Sequence, residues 1–195
     1  NVTWIGGGGL SVDSPTIIES AGAATKIITA AMLTNEFTLE AWVVPANTTQ
    51  SGPARILTLS QNITNRNFTL GQQSNEYMGR LRTTDNDFNG VSPQLTSATG
   101  PVTTTLTHLI YTRDTSGTAR IYVNGIEVAS RADITGDFSN WDANYAFALA
   151  NELSYPTEFR NWLGEYYLAA VYSKALTHYE ICRNYTDGLP VPAGT

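Results

Sequence analysis

One cysteine, two lysines and no long apolar run characterise this 195-residue chain by what it lacks. Cys182 alone closes no internal disulfide and builds no thiolate metal cluster, so the compartment cannot be read from it. Lys26, Lys174 and the arginines are scattered singly in a chain of net charge −6, which leaves no basic stripe to follow a phosphate backbone. Nucleic acid is therefore not an expected partner. No stretch approaches the roughly eighteen apolar residues of a membrane span, and Asn1-Val2-Thr3-Trp4 lacks the basic start and apolar middle of a signal peptide. Membrane insertion is not expected either. Charged residues make up 14% of the chain, against about a quarter in ordinary domains. With 42% hydrophobic residues and the missing charge replaced by Thr, Asn, Ser and Gly, the composition is that of a folded chain, not a disordered one. Its length suits one well-buried domain.

What is present is a succession of period-two segments separated by Gly, Asn, Asp and Pro clusters, the pattern of an all-β sandwich. Phe37, Leu39, Ala41 and Val43 alternate with Thr38, Glu40, Trp42 and Val44 before Pro45 closes the strand. Residues 55–61, 67–73 and 77–84 read as three further strands. Residues 107–130 read as a three-stranded meander whose second turn, Asn124-Gly125, has the two residues that tolerate positive φ in a type I′ hairpin. Strands are also expected at 145–150 and 163–172. One helix follows, opened by Thr177 with Glu180 as a capping box and closed at Gly188. Gly6-Gly7-Gly8-Gly9 reads as part of a flexible entry segment, residues 1–9, and residues 189–195 as a tail. A phosphate-cradling loop would need a strand before the glycines, a helix after them and usually a lysine.

Four segments, taken in order, carry a resemblance. They are Phe37-Thr38-Leu39-Glu40-Ala41-Trp42-Val43-Val44-Pro45, the strand from Thr107-His108 to Arg113-Asp114, the hairpin Ala119-Arg120-Ile121-Tyr122-Val123-Asn124-Gly125, and Trp162-Leu163-Gly164-Glu165 through Tyr172-Ser173-Lys174-Ala175-Leu176-Thr177. Over about residues 10–188 the chain resembles the laminin G-like jelly rolls of the concanavalin A-like lectin and glucanase superfamily, in its bacterial branch. The resemblance implies a two-sheet antiparallel jelly-roll sandwich with one short C-terminal helix, and ligands carried on rim loops. It does not settle chemistry, because this fold hosts lectins, adhesion modules, glycosidases and lyases.

The residues argue against catalysis. No Glu-x-Asp-x-x-Glu is present, and Glu36 and Glu40 are more than about 12 Å apart on an extended strand, too far for a retaining pair. His108, His178 and Cys182 are expected in structural roles. Asp85-Asn86-Asp87-Phe88-Asn89-Gly90 matches the start of an oxygen-rich calcium loop, but Thr96 stands where the bidentate acid belongs, and an Asx-rich turn explains the run equally well. Asp85, Asp87 and Asn89, with Asp137 from a second acidic group, are the candidate Ca2+ ligands. The resemblance adds none, since the family's "IDEV" acids fall here at Tyr167 and Leu168. For sugar binding, aromatic faces beside planar amide and carboxylate groups are needed. Trp141, Tyr145, Tyr155 and Trp162 lie in or beside polar loops, and Asn140, Trp141, Asp142, Tyr155 and Trp162 are the candidates, whereas Trp42, Tyr111 and Tyr122 are expected within the sandwich. The five Asn-x-Ser/Thr sequons are no meaningful excess over the few that a chain this rich in Asn, Ser and Thr carries by chance.

The function expected is a non-catalytic extracellular or cell-surface module of a larger protein, binding a glycan or surface glycoprotein. The alternative is a structural subunit that self-assembles as a homo-oligomer into a sheath or filament, which the scarcity of edge-blocking lysines would allow.

Overall fold

The computed structural model describes residues 1–6 and 8–188. In chain order the elements are β1 (Val2–Ile5), β2 (Gly9–Val12), β3 (Ile18–Ala23), α1 (Thr25–Thr34), β4 (Phe37–Pro45), β5 (Ala54–Ser60), β6 (Arg66–Gln73), β7 (Glu76–Leu81), β8 (Leu95–Thr96), β9 (Thr107–Arg113), β10 (Ala119–Val123), β11 (Ile126–Arg131), β12 (Ala146–Leu149), β13 (Gly164–Tyr172) and α2 (His178–Asp187). Seven strands form one sheet, ordered β1-β2-β13-β4-β9-β10-β11, and six form the other, ordered β3-β12-β5-β6-β7-β8. All pairings are antiparallel. This is the expected two-sheet jelly roll.

Inward alternation on facing strands builds the core. The Phe37 ring of β4 lies 5.6 Å from Phe68 of β6 and 5.7 Å from Tyr111 of β9, so it bridges the two sheets. The sheets approach so closely at Gly79 that a Cβ there would stand 2.2 Å from the Tyr111 ring. Asn124 and Gly125 have φ of 52° and 78°, which completes the expected hairpin turn between β10 and β11.

Both faces of β4 are buried, because α2 lies across its outer side. Ile181 of α2 packs on Ile110 and Tyr122, and the rings of Trp42, His108 and Tyr185 stack with centroids 4.7 Å and 6.0 Å apart. The capping box is complete: Thr177 accepts from Glu180 N, and Glu180 accepts from Thr177 N. Thr38 Oγ1 ties down the approach to the helix, donating to Lys174 O at 2.7 Å and accepting from Leu176 N at 2.9 Å.

Two segments differ from expectation. Val2–Ile5 pairs with Gly9–Val12 as an edge hairpin, so the expected entry segment is part of the seven-stranded sheet. A second helix, α1, buries Ile28 and Ala31. It has no side-chain N-cap and no acid in its first turn, and its Thr and Ile residues favour helix weakly, so its start carries no local signal, whereas its end has the left-handed Asn35 cap. The expected tail, residues 189–195, lies outside the described residues.

Candidate functional site

A row of side chains crosses the outer face of the six-stranded sheet: Ala148, Thr58, Thr69 and Arg80 stand opposite one another on β12, β5, β6 and β7. The alternating residues Leu57, Leu59, Phe68 and Leu70 enter the core, so this row points outward. Thr58 and Thr69 are nevertheless fully buried. Their cover is the connection of residues 151–161. Arg55 N donates to Arg160 O at 2.8 Å, and Arg160 N donates to Asn151 Oδ1 at 2.9 Å, which pins both ends of that loop.

Glu152 reaches down from the cover. It accepts from Arg55 Nε at 2.9 Å and from Ser60 Oγ, with Arg66 Nη1 3.8 Å away. Arg66 donates onward to Thr69 Oγ1 at 2.9 Å and to Ile63 O. Burial pushes the Arg55 guanidinium down to about 10 against the opposing pull of Glu152. It pushes Arg66 down to about 9, with repulsion from Arg55 adding to the shift. Both remain cations at neutral pH. Arg80 is half-buried and is also lowered, by burial and then by the neighbouring charge of Arg160.

At the edge of this cover lies a depression of about 270 Å³ lined by Ser60, Gln61, Asp142, Asn144, Tyr145 and Leu153. Asp142 Oδ1 accepts from Asn144 N at 2.9 Å, which holds the carboxylate at the rim. On the cover itself the rings of Tyr155 and Phe159 meet edge to face at 5.5 Å, and Phe159 is 54% exposed. Amides and a carboxylate thus converge in this depression, and the cover loop that borders it exposes aromatic surface, groups suited to hydroxyl and ring ligands.

Two of the expected sugar-binding aromatics are corrected by their packing. Trp141 is 4% exposed, lies 4.6 Å from Phe138 and 5.9 Å from Phe37, and donates its Nε1 to Arg82 O at 2.7 Å. Trp162 is fully buried, donates to Gln72 Oε1 at 3.0 Å and packs on Tyr166. Both indoles are core. Asn140 serves the same packing, donating to Thr83 O at 2.7 Å. Asp142 remains at the rim, with Gln61 and Asn144 beside it, and Tyr155 lies on the cover loop with Phe159; Tyr145 lines the depression but is 7% exposed and packed in the core.

The sequence profile described as the concanavalin A-like lectin/glucanases superfamily, in its laminin G form, matches residues 19–182. The chain belongs to this superfamily. No curated protein gives a significant match. Among solved structures, the Ruminococcus gnavus sialidase CBM40 bound to α2,3-sialyllactose aligns with a TM-score of 0.63 at 15% identity, covering 90% of this chain and 95% of that one. A heptameric SAP-like pentraxin from Limulus polyphemus aligns with a TM-score of 0.63 at 12% identity, covering 89% and 79%. A botulinum neurotoxin type C structure, described by its interaction with two ganglioside molecules, gives 0.65 at 14% identity and 96% coverage. This chain spans only 44% of that structure's length. At such identities the likeness is one of fold.

Of the expected calcium ligands, Asp87 and Asp137 are engaged in local turns. Asp87 Oδ1 accepts from Asn89 N at 2.9 Å and Val91 N at 3.2 Å, so the loop is an Asx turn. Asp137 Oδ1 accepts from Ser139 N, and the Arg113 guanidinium already sits in the field of Asp137 and Asp85. Among the described residues no three His, Cys, Asp or Glu side chains converge.

A second polar cluster lies under α2. His108 Nε2 donates to Glu40 Oε1 at 2.8 Å, Tyr172 OH to Glu40 Oε2 at 2.6 Å, and Asn184 Nδ2 to Glu40 Oε2 at 3.1 Å. Burial raises the Glu40 carboxyl, but these bonds outweigh it and hold the group below its ordinary value. The Glu40 and His108 side chains are 2% and 0% exposed, so this pair clamps the helix and presents no face to a substrate.

Proposed function

We propose that this domain is a non-catalytic carbohydrate-binding module of a larger extracellular or cell-surface protein. Its binding site is the depression at the end of β5 and the start of β12, where the cover loop meets the rim. The observation that carries this assignment is the convergence of Asp142, Asn144 and Gln61 in one depression that the cover loop borders through Leu153, with the exposed Phe159 further along the same loop. Carboxylate and amide groups bond adjacent sugar hydroxyls while aromatic faces take the ring. Superfamily membership and the carbohydrate ligands named for two of the structural relatives support the same assignment.

The test is a glycan array read with wild type, Asp142→Ala and Phe159→Ala. Signals on a defined set of glycans that both substitutions remove, with melting temperature unchanged, support the assignment. An array blank for the wild type contradicts it. Assembly through strand edges is a second reading, favoured by β1, which exposes Val2 and Trp4 along an edge without lysine. Light scattering distinguishes the two: a monomer that binds glycan supports the module, and high-mass particles without glycan binding support the subunit.

A further inference from the structure

Four of the nine arginines meet at the six-stranded sheet: Arg55 and Arg66 share Glu152, Arg66 donates to Thr69, Arg80 stands opposite Thr69, and Arg160 O accepts from Arg55 N. The chain as a whole carries a net charge of −6, so this concentration runs against its composition. The acids within reach are fewer. Glu152 pairs with Arg55 and Arg66, Asp87 acts on Arg80, and Glu158 is engaged by Ser154 Oγ at 2.8 Å. That is four guanidiniums against three carboxylates.

The hydrogen-bonding inventory points the same way. Arg55 Nη2, Arg66 Nε, Arg160 Nε and Asn151 Nδ2 are buried and have no acceptor among the described residues. All four are N–H donors, and an acceptor-only anionic group is their complement. The face already holds one such group, the Glu152 carboxylate, against Arg55 and Ser60. Arg55 and Arg66 are fully buried, whereas Arg80 and Arg160 are partly open to water and form the approach.

We propose that this arginine face is the anionic subsite of the glycan site, taking the carboxylate or sulfate of an acidic saccharide on Arg80 and Arg160, with Arg55, Arg66 and Asn151 behind them. The proposal rests on the glycan assignment above and narrows it to acidic glycans. A guanidinium reads such groups through two parallel N–H bonds, so Lys would not substitute equally.

Calorimetric titration with α2,3-sialyllactose, sulfated lactose, lactose and sodium sulfate at constant ionic strength tests it, using wild type, Arg80→Gln, Arg160→Gln and the exposed control Arg183→Gln. Melting curves confirm that each variant is folded. The expected result is that one or both acidic saccharides bind at least about tenfold more tightly than lactose. Arg80→Gln and Arg160→Gln should each remove most of that margin, with lactose binding and the Arg183→Gln control unchanged. Preference for the carboxylate or for the sulfate identifies which anion the face takes. Equal binding of acidic and neutral sugars overturns the subsite and leaves the glycan assignment standing. An acidic preference untouched by both variants, or lost equally in the control, also overturns it. Binding of sulfate ion alone, without a gain for acidic saccharides, makes it an inorganic-anion site and overturns the proposal. No saccharide binding of any kind overturns both.

Discussion

Replacing Glu152 by Gln keeps the shape of the side chain while removing the one carboxylate bonded directly to the buried arginines. In the native arrangement it lies 2.9 Å from Arg55 Nε and 3.8 Å from Arg66 Nη1, with all three side chains at 0% exposure. The variant leaves two buried guanidiniums without that counter-charge, and removing one member of a buried pair costs about 3–5 kcal/mol. For a domain of this size each kcal/mol moves the melting temperature by about 2–4 °C, so a fall of roughly 6–20 °C is expected. The assay is thermal and urea unfolding followed by circular dichroism in buffer free of phosphate and sulfate, since either anion would pair with the same arginines. A double-mutant cycle with Arg55→Met should give a coupling of about 1–3 kcal/mol. A variant melting within about 2 °C of wild type, with an additive cycle, would refute the claim that this ion pair fastens the cover loop.

Trp141→Ala should lower stability by about 3–5 kcal/mol through the cavity left against Phe37 and Phe138, as chemical denaturation would show. A stable, folded variant that has lost only glycan binding would return Trp141 to the ligand site. Thr177→Ala breaks the capping box and should cost about 1 kcal/mol, read by urea midpoint, with Thr177→Ser largely preserving stability. The depressed Glu40 and Glu180 carboxyls stabilise the fold above their unfolded values near 4.5, and that contribution is lost as pH falls through the lower folded values, about 2 for Glu180. Stability measured by urea unfolding should therefore decline below about pH 4.5, and the decline should be shallower in Glu40→Gln, which has already lost its share.

The parts of the fold set by neighbours in sequence were legible. Asn124-Gly125 announces its hairpin, the alternation from Phe37 to Val43 its core strand, and Thr177 with Glu180 the start of α2, each within a few residues. What depends on distant packing was not. Asn140 and Asp142 flank Trp141 and suggest a wet loop, yet Asn140 bonds to Thr83 and the indole turns inward to Phe37, more than a hundred residues away. The same holds for the start of α1, which has no side-chain N-cap and is held by burial of Ile28 and Ala31. The arginine face was the hardest to see. Arg55, Arg66 and Arg80 lie on three successive strands and Arg160 on a loop, so residues scattered singly along the chain meet only when the sheet forms. Period-two alternation places Thr58 and Thr69 outward, but no local pattern shows that residues 151–161 fold back over them.

The most direct test of the central claim, that glycan is held beside the cover loop at the end of β5 and the start of β12, is a backbone-amide NMR titration with α2,3-sialyllactose. Shifts confined to Gln61, Arg80, Asp142, Asn144, Phe159 and Arg160 and their neighbours are the predicted result. Shifts centred on α2, around Asn184 and Tyr185, or no shifts at saturating sugar, would contradict it.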